Sequence, residues 1–318
     1  MQSLLWTKID CMDTPPVCDY EGSQYQHEFW ETGNRAYEDA AEALALKHLL
    51  PVNGKRLLEL GAGAGRNTHR YVGFEHITLL DYSTTQLQQA LERHGSGARF
   101  SYIAADVYRL PFAPNSFDAA TMIRTLHHLA EPHIALEQVR ACLANGADFI
   151  LEFANKRNFK SILRYFLRKQ DWNPFSRQAV EFVELNFDFH PAAVKAMLRD
   201  TGFHVQRQVS VSYLRSGLVK RLLPFKVMTA LEAVLQRIFS WSALSPSIFL
   251  KATATGQVQP IQDHLDFRCP ACGHLITWLG RICTVTVWPA AGTARMTVWV
   301  AWLVVLVSVA MIMYPLVS

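Results

Sequence analysis

Short apolar runs separated by helical stretches set the strongest limit on what this chain can fold into. KRLLEL, HITLLD, ARFSYIAAD, FDAATMIRTL and ADFILEFAN each read as a strand, and TTQLQQALERH and EPHIALEQVRACLA, with helical spacing, lie between some of them. Strands alternating with helices need right-handed crossovers, and a series of crossovers builds a mostly parallel sheet. PAAVKAMLRDTGF (Pro191 to Phe203) reads as a further helix closed by Gly202, HVQRQVSVSYL as the alternating run it leads into, and SPSIFLKATA (Ser245 to Ala254) as a final strand. Upstream, His27 to Pro51 has helical spacing, with Phe29, Ala36, Ala40, Leu44 and Leu50 toward one face. At 318 residues the chain can bury a full core and carry an appendage.

The first of these strands runs into LLELGAGAGRNT. Alternating glycines after a buried strand let the backbone approach a ligand closely, and the helix expected to follow offers free N–H groups at its positive end. A dinucleotide loop, GxGxxG, wants a small residue five positions after its first glycine, and here Gly61 and Gly63 are followed by Arg66. What the loop does match is an acid, one residue, then GxGxG: Glu59, Gly61, Gly63 and Gly65. Asp81 ends the second strand, where a carboxylate can accept both hydroxyls of a ribose. Asp106 follows the third, in AADVYRLPFAPNSFD, and LHHL follows the fourth. A neutral loop flanked by carboxylates suits a positively charged ligand and would repel a pyrophosphate.

The ordered set of acid, three glycines, Asp81, Asp106, LPF, SFD and LHHL resembles the class I S-adenosylmethionine-dependent methyltransferases, and within them the type 11 branch that includes ubiquinone and menaquinone biosynthesis methyltransferases. The resemblance covers roughly residues 25 to 255, most specifically Leu57 to Leu129. It implies a Rossmann-like α/β fold with a seven-stranded, mostly parallel sheet and helices on both faces, and S-adenosylmethionine as cofactor. Carried over by residue, it implies that Gly61, Gly63 and Gly65 line the methionine and ribose part, with Glu59 near the amino group. Asp81 would hold the ribose with Tyr82 beside the adenine, Asp106 and the N–H of Val107 would read the adenine edge, and Ile123 and Arg124 would close the methionine end. The expected reaction is methyl transfer to a small, lipophilic acceptor. Its rivals are a nicotinamide-dependent reductase and a non-catalytic, membrane-tethered module that keeps the fold.

Methyl transfer from a sulfonium is an in-line displacement, so alignment and a dry site matter most, with a base only where the acceptor must lose a proton. His127, His128 and Arg124 are the catalytic candidates; the histidines serve equally as packing at the start of the next helix. Asn155 and Tyr25 are further candidates by position.

Residues 1–255 make the methyltransferase domain, with helical insertions at about 156–186 and 214–244. NKRNFKSILRYFLRK in the first insertion reads as a basic amphipathic helix with six cations and no acid. The second is apolar and basic, with Glu232 its one acid and a break at Pro224. The first reads either as a lid packed on the core with a solvated basic face or as a contact with an anionic membrane surface, and the second segment and the apolar tail point toward the membrane. Residues 256–295 form a linker with an incomplete zinc-ribbon-like knuckle, Cys269 and Cys272 followed by Cys283 alone, so no metal is expected. Met296 to Val317 is an uncharged stretch of 22 residues, as a helix about 33 Å long, and a candidate transmembrane anchor. Six scattered cysteines and no export signal suit a cytoplasmic protein. A net charge of +4 without a clustered footprint gives no reason to expect nucleic acid.

Overall fold

The computed structural model describes residues 15–18, 20–23, 30, 35–256, 265–268 and 275–276. The chain divides into two compact units, Pro15–Leu265 and a second made of Met1–Thr14 with Asp266–Ser318. In the second, Phe267–Arg268 (β10) pairs antiparallel with Leu275–Ile276 (β11). Tyr25, Cys269, Cys272, Cys283 and the apolar stretch 296–317 lie outside the described residues. Among the described residues no helix is long and apolar enough to cross a membrane, and no cluster of three or more metal-ligating side chains occurs.

The larger unit is built on a seven-stranded sheet. Its strands are β1 Gly54–Leu60, β2 Phe74–Asp81, β3 Phe100–Ala104, β4 Phe117–Met122, β5 Leu143–Ala154, β8 Phe203–Val211 and β9 Ser247–Ala254. They lie in the order β3-β2-β1-β4-β5-β9-β8. The first five are mutually parallel, and β9 runs antiparallel between β5 and β8. Leu57, Leu58 and Leu60 of β1 and Phe149, Ile150 and Leu151 of β5 are all buried, the continuous apolar pattern of strands covered on both faces. Because β1 pairs with β2 on one side and β4 on the other, the strand order reverses at β1, which is where an open α/β sheet leaves a crevice at its strand ends.

The helices are α1 Ala36–Leu49, α2 Thr84–His94, α3 Pro132–Cys142, α4 Phe159–Phe166, α5 Pro191–Asp200, α6 Gly217–Leu222 and α7 Phe225–Ile238. The Ser83 side chain caps α2 by accepting from the Gln86 amide, and Pro191 occupies the first turn of α5, where its missing N–H costs nothing. Pro224 separates α6 from α7, since proline suits a helix start and not an interior.

Three expectations are corrected. The glycine loop runs into turns and a single 3-10 turn, Thr68–Arg70, in place of the expected helix. The buried face of α1 is Tyr37, Glu38, Ala41, Glu42, Ala45, Leu46 and Leu49, with Ala36 exposed. Two of those seven positions are acids, Glu38 and Glu42, held by Lys220 and by Arg66 and Arg124 from distant segments, so a pattern of apolar residues alone places the face wrongly. The first insertion is not helical throughout: α4 is followed by turns and by a hairpin of β6 Val180–Val183 with β7 Asn186–Asp188. Lys156, counted among its surface cations, is buried and donates Nζ to the Gln178 carbonyl at 2.6 Å.

Candidate functional site

A cleft opens where the strand order reverses. The turn after β1 (Gly61 to Ala64, Arg66 and Asn67), the end of β2 (Leu80 to Tyr82), Ala105 and Val107 after β3, and Ile123 to Thr125 after β4 line it. Tyr20, Trp30, His128 and Leu129 complete the wall. Gly61, Gly63 and Gly65 all have positive φ, at 63°, 53° and 69°, in the left-handed region that other residues enter at a cost of about 1–2 kcal/mol. Space forbids a side chain as well: a Cβ on Gly61 would stand 2.1 Å from Thr125 Oγ1.

The two acids that frame this loop are held differently. Asp81 folds back on it, accepting from the Gly63 amide at 2.8 Å through Oδ2 and from the Ser83 amide at 2.9 Å through Oδ1. Glu59 is buried beneath it, accepting from Thr68 Oγ1 at 2.6 Å and Tyr71 Oη at 3.2 Å. Burial pushes the Glu59 carboxyl up to about 7, against the pull of those two hydrogen bonds and of Arg66 and Arg70. Between the ordinary glutamic range and that value the folded chain keeps a proton that the unfolded chain has released. Stability from this group is therefore complete below about pH 4.5 and is lost as the pH rises toward 7, by about 3 kcal/mol. Urea denaturation at pH 5 and pH 7.5 checks this: Glu59→Gln is expected to flatten the decline seen in the wild type, and an equal decline in both would refute it.

Arg66, read from the sequence only as an obstacle to a dinucleotide, is the cation of the loop. It donates NH1 to Asp39 and NH2 to Glu42 Oε2 at 2.5 Å, and its guanidinium lies 3.6 Å from the centre of the Trp30 ring. Arg124 enters the same cluster from the end of β4, with φ at 57°, donating Nε to Glu42 Oε1 at 2.6 Å and its amide to Glu152 Oε2 at 2.9 Å. Arg70 donates to Asp39 at 2.6 Å. Burial alone would raise the Glu42 carboxyl, but Arg124 and Arg66 beside it hold it below its ordinary value. Three arginines thus meet the carboxylates of Asp39, Glu42 and Glu152, and of the three cations Arg66 and Arg124 line the cleft.

The remaining candidates are less uniformly placed. Tyr82, Val107 and Ile123 line the cleft. Asp106 stands between two lining residues and turns its carboxylate to its own turn, accepting from the Tyr108 amide at 2.9 Å. His128 lines the cleft; its Nδ1 faces the Leu185 carbonyl at 3.1 Å, which can only accept, so Nε2 is the acceptor of the Tyr20 hydroxyl at 3.2 Å. His127 lies behind it, ring centroids 4.0 Å apart. Its Nδ1 is buried without a hydrogen-bond partner, and burial, with His128 and Arg124 nearby, holds it neutral. Asn155 is a structural residue: Nδ2 donates to the carbonyls of Ala243 and Ser245, and it reaches no part of the cleft lining. Trp30, Tyr20 and the Asp39–Glu42 pair carried no signal of a site in the sequence, because they come from the segment before β1 and meet the loop only after folding.

Comparison with known proteins fits this geometry. Residues 58–151 match a family described as Methyltransferase domain. A demethylmenaquinone methyltransferase of Chlamydia trachomatis is 38% identical over 117 residues, 36% of this chain and 50% of that protein. A ubiquinone/menaquinone biosynthesis C-methyltransferase of Roseobacter denitrificans is 26% identical over 189 residues, covering 53% and 76%. The chain thus spans about half the length of the first of these relatives. In fold it is similar to a chain in a methyltransferase–activator complex of Haloferax volcanii, with TM-score 0.53, 18% identity, and coverage of 73% and 96%. It is similar also to a structure described as an S-adenosylmethionine dependent methyltransferase of Listeria monocytogenes, with TM-score 0.51, 18% identity, and coverage of 69% and 99%.

Proposed function

We propose that the chain, whose residues 58–151 match a methyltransferase domain, transfers a methyl group from S-adenosylmethionine to a small, lipophilic acceptor of the quinol or phenol kind. The observation that carries the reading is the charge layout at the glycine loop. Glu59 and Asp81 flank a backbone that admits close approach, and the guanidinium of Arg66 is already paired with Asp39 and Glu42. A pyrophosphate would meet two carboxylates there, whereas an amino acid and a ribose meet what they need.

The residues divide the work. Glu59, with its raised affinity for protons, accepts the positive amino group, and Arg66 and Arg124, which line the cleft, take the carboxylate. Asp81, each of whose oxygens keeps a second lone pair, takes the ribose hydroxyls beside its backbone partners, and Tyr82 and Val107 flank the base. When bound, the cofactor supplies an electrophilic methyl on sulfur. The chain's part is to orient the acceptor against it, with Trp30 and Leu129 excluding water and His128 Nε2 taking a proton where the acceptor has one to lose. The quinol-like acceptor is supported by two of the similar proteins, a demethylmenaquinone methyltransferase and a ubiquinone/menaquinone biosynthesis C-methyltransferase.

The test is direct: the full chain with methyl-labelled cofactor and a panel of lipophilic quinols and phenols. A product heavier by one methyl group, lost with the labelled cofactor omitted, is expected. Tight cofactor binding with no product across the panel would instead support a non-catalytic module.

A further inference from the structure

Two segments present large apolar side chains to solvent. On α4, Phe159, Leu163, Phe166 and Leu167 are exposed, Phe166 by 69%, and the ring of the exposed Phe175 lies 6.2 Å from it. On α6, α7 and the turn that follows, Leu218, Leu222, Phe225, Val234, Ile238 and Trp241 are exposed, with Leu222 at 70% and Trp241 at 78%. The segments meet, since the Phe159 amide donates to the Leu244 carbonyl at 2.8 Å. Exposed apolar side chains in such continuity mark a surface that is covered in use.

Charge says what covers it. Lys160, Arg164, Arg168 and Lys169 of the first segment are exposed, and no acid occurs from 155 to 170. In residues 214–244 the one acid, Glu232, is buried, accepting from the Tyr37 hydroxyl and from the Ser212 and Tyr213 amides. The exposed charge of that segment is therefore entirely positive, with Arg221, Lys226 and Arg237 among it. The exposed acids nearest in sequence, Asp171, Glu181 and Glu184, lie beyond the end of α4. Aromatic and aliphatic side chains edged by cations without acids match a layer that is apolar within and anionic at its face.

We propose that α4 together with α6 and α7 forms a docking surface for an anionic lipid bilayer, its apolar side chains entering the acyl boundary and its lysines and arginines meeting the phosphates. One element of the surface is tied to the cleft wall: Lys220 of α6 reaches Glu38 of α1 at 2.7 Å, one turn from Glu42, which pairs with Arg66 and Arg124 of the cleft. If the proposed acceptor is lipophilic, a part that rests on the methyltransferase reading, it enters from the bilayer beside its site.

The full chain is sedimented with vesicles of phosphatidylcholine alone and of phosphatidylcholine with phosphatidylglycerol, without cofactor. Binding that requires phosphatidylglycerol and weakens with added salt is expected. Combined Lys160→Gln, Arg164→Gln and Arg168→Gln should lower partitioning by about tenfold or more, and Phe166→Ser with Leu222→Ser should lower it as well. Equal binding to neutral vesicles, or binding untouched by either set of substitutions, would overturn the proposal and leave another part of the chain as the anchor. A dimer in sedimentation velocity that Phe166→Ser abolishes would overturn it too, giving the face to a second copy. S-adenosylhomocysteine binding, read separately on each variant, confirms the fold. Failure of that binding in the wild type would sink the transfer reading and leave the surface standing.

Discussion

Replacing Glu42 by alanine is expected to destabilise the chain by about 3 kcal/mol, among the largest single-residue effects on stability in the fold. The carboxylate is fully buried, and both oxygens are engaged, Oε1 by Arg124 and Oε2 by Arg66. Removing it leaves two guanidiniums whose side chains are 16% and 13% exposed facing one another across a cavity. Some water reaches both, which sets the figure at the lower end of the range for a broken buried pair. Glu42→Gln keeps the volume and one acceptor and should cost less. Urea unfolding of the three proteins at pH 7 is the check; a loss below about 1 kcal/mol for alanine would mean that the cluster does not hold α1 to the glycine loop.

Replacing Asp81 by alanine is expected to weaken S-adenosylhomocysteine binding by about a hundredfold. Two hydrogen bonds from ribose hydroxyls to an ionised carboxylate are lost, each of about 1.5 kcal/mol, and each 1.4 kcal/mol is a factor of ten. The substitution also frees the Gly63 and Ser83 amides that Asp81 now accepts, so the loop loses its tie to β2. Asp81→Asn separates the two effects: its one remaining acceptor can still take the Gly63 amide while it loses the charge. Calorimetric titration of both variants against wild type checks this, and an unchanged affinity for Asp81→Ala would remove the ribose from this residue.

The sheet was legible in the sequence because its parallel strands are local signals, with LLEL of β1 and FILEF of β5 at its centre buried on both faces. The glycine loop was legible for the same reason, with glycine spacing and positive φ both belonging to one short segment. What could not be read locally is partnership. Glu38, Glu42 and Glu232 look like the solvent-facing charges of amphipathic helices, yet all three are buried, because Arg66, Arg124, Lys220 and Tyr37 reach them from distant segments. Lys156 was misplaced among surface cations for the mirror reason, a carbonyl at Gln178 that only the fold supplies. The hairpin after α4 escaped notice because β6 and β7 are four and three residues long, too short to establish a period.

Isothermal titration of the folded full chain with S-adenosylhomocysteine, and in parallel with NADH, tests the central claim most directly. The charge layout at the glycine loop predicts saturable binding of one S-adenosylhomocysteine per chain, accompanied by release of protons near pH 7 as Glu59 meets the ligand's amino group, and no heat with NADH. Binding of NADH instead, or no binding of S-adenosylhomocysteine by folded protein, would contradict it.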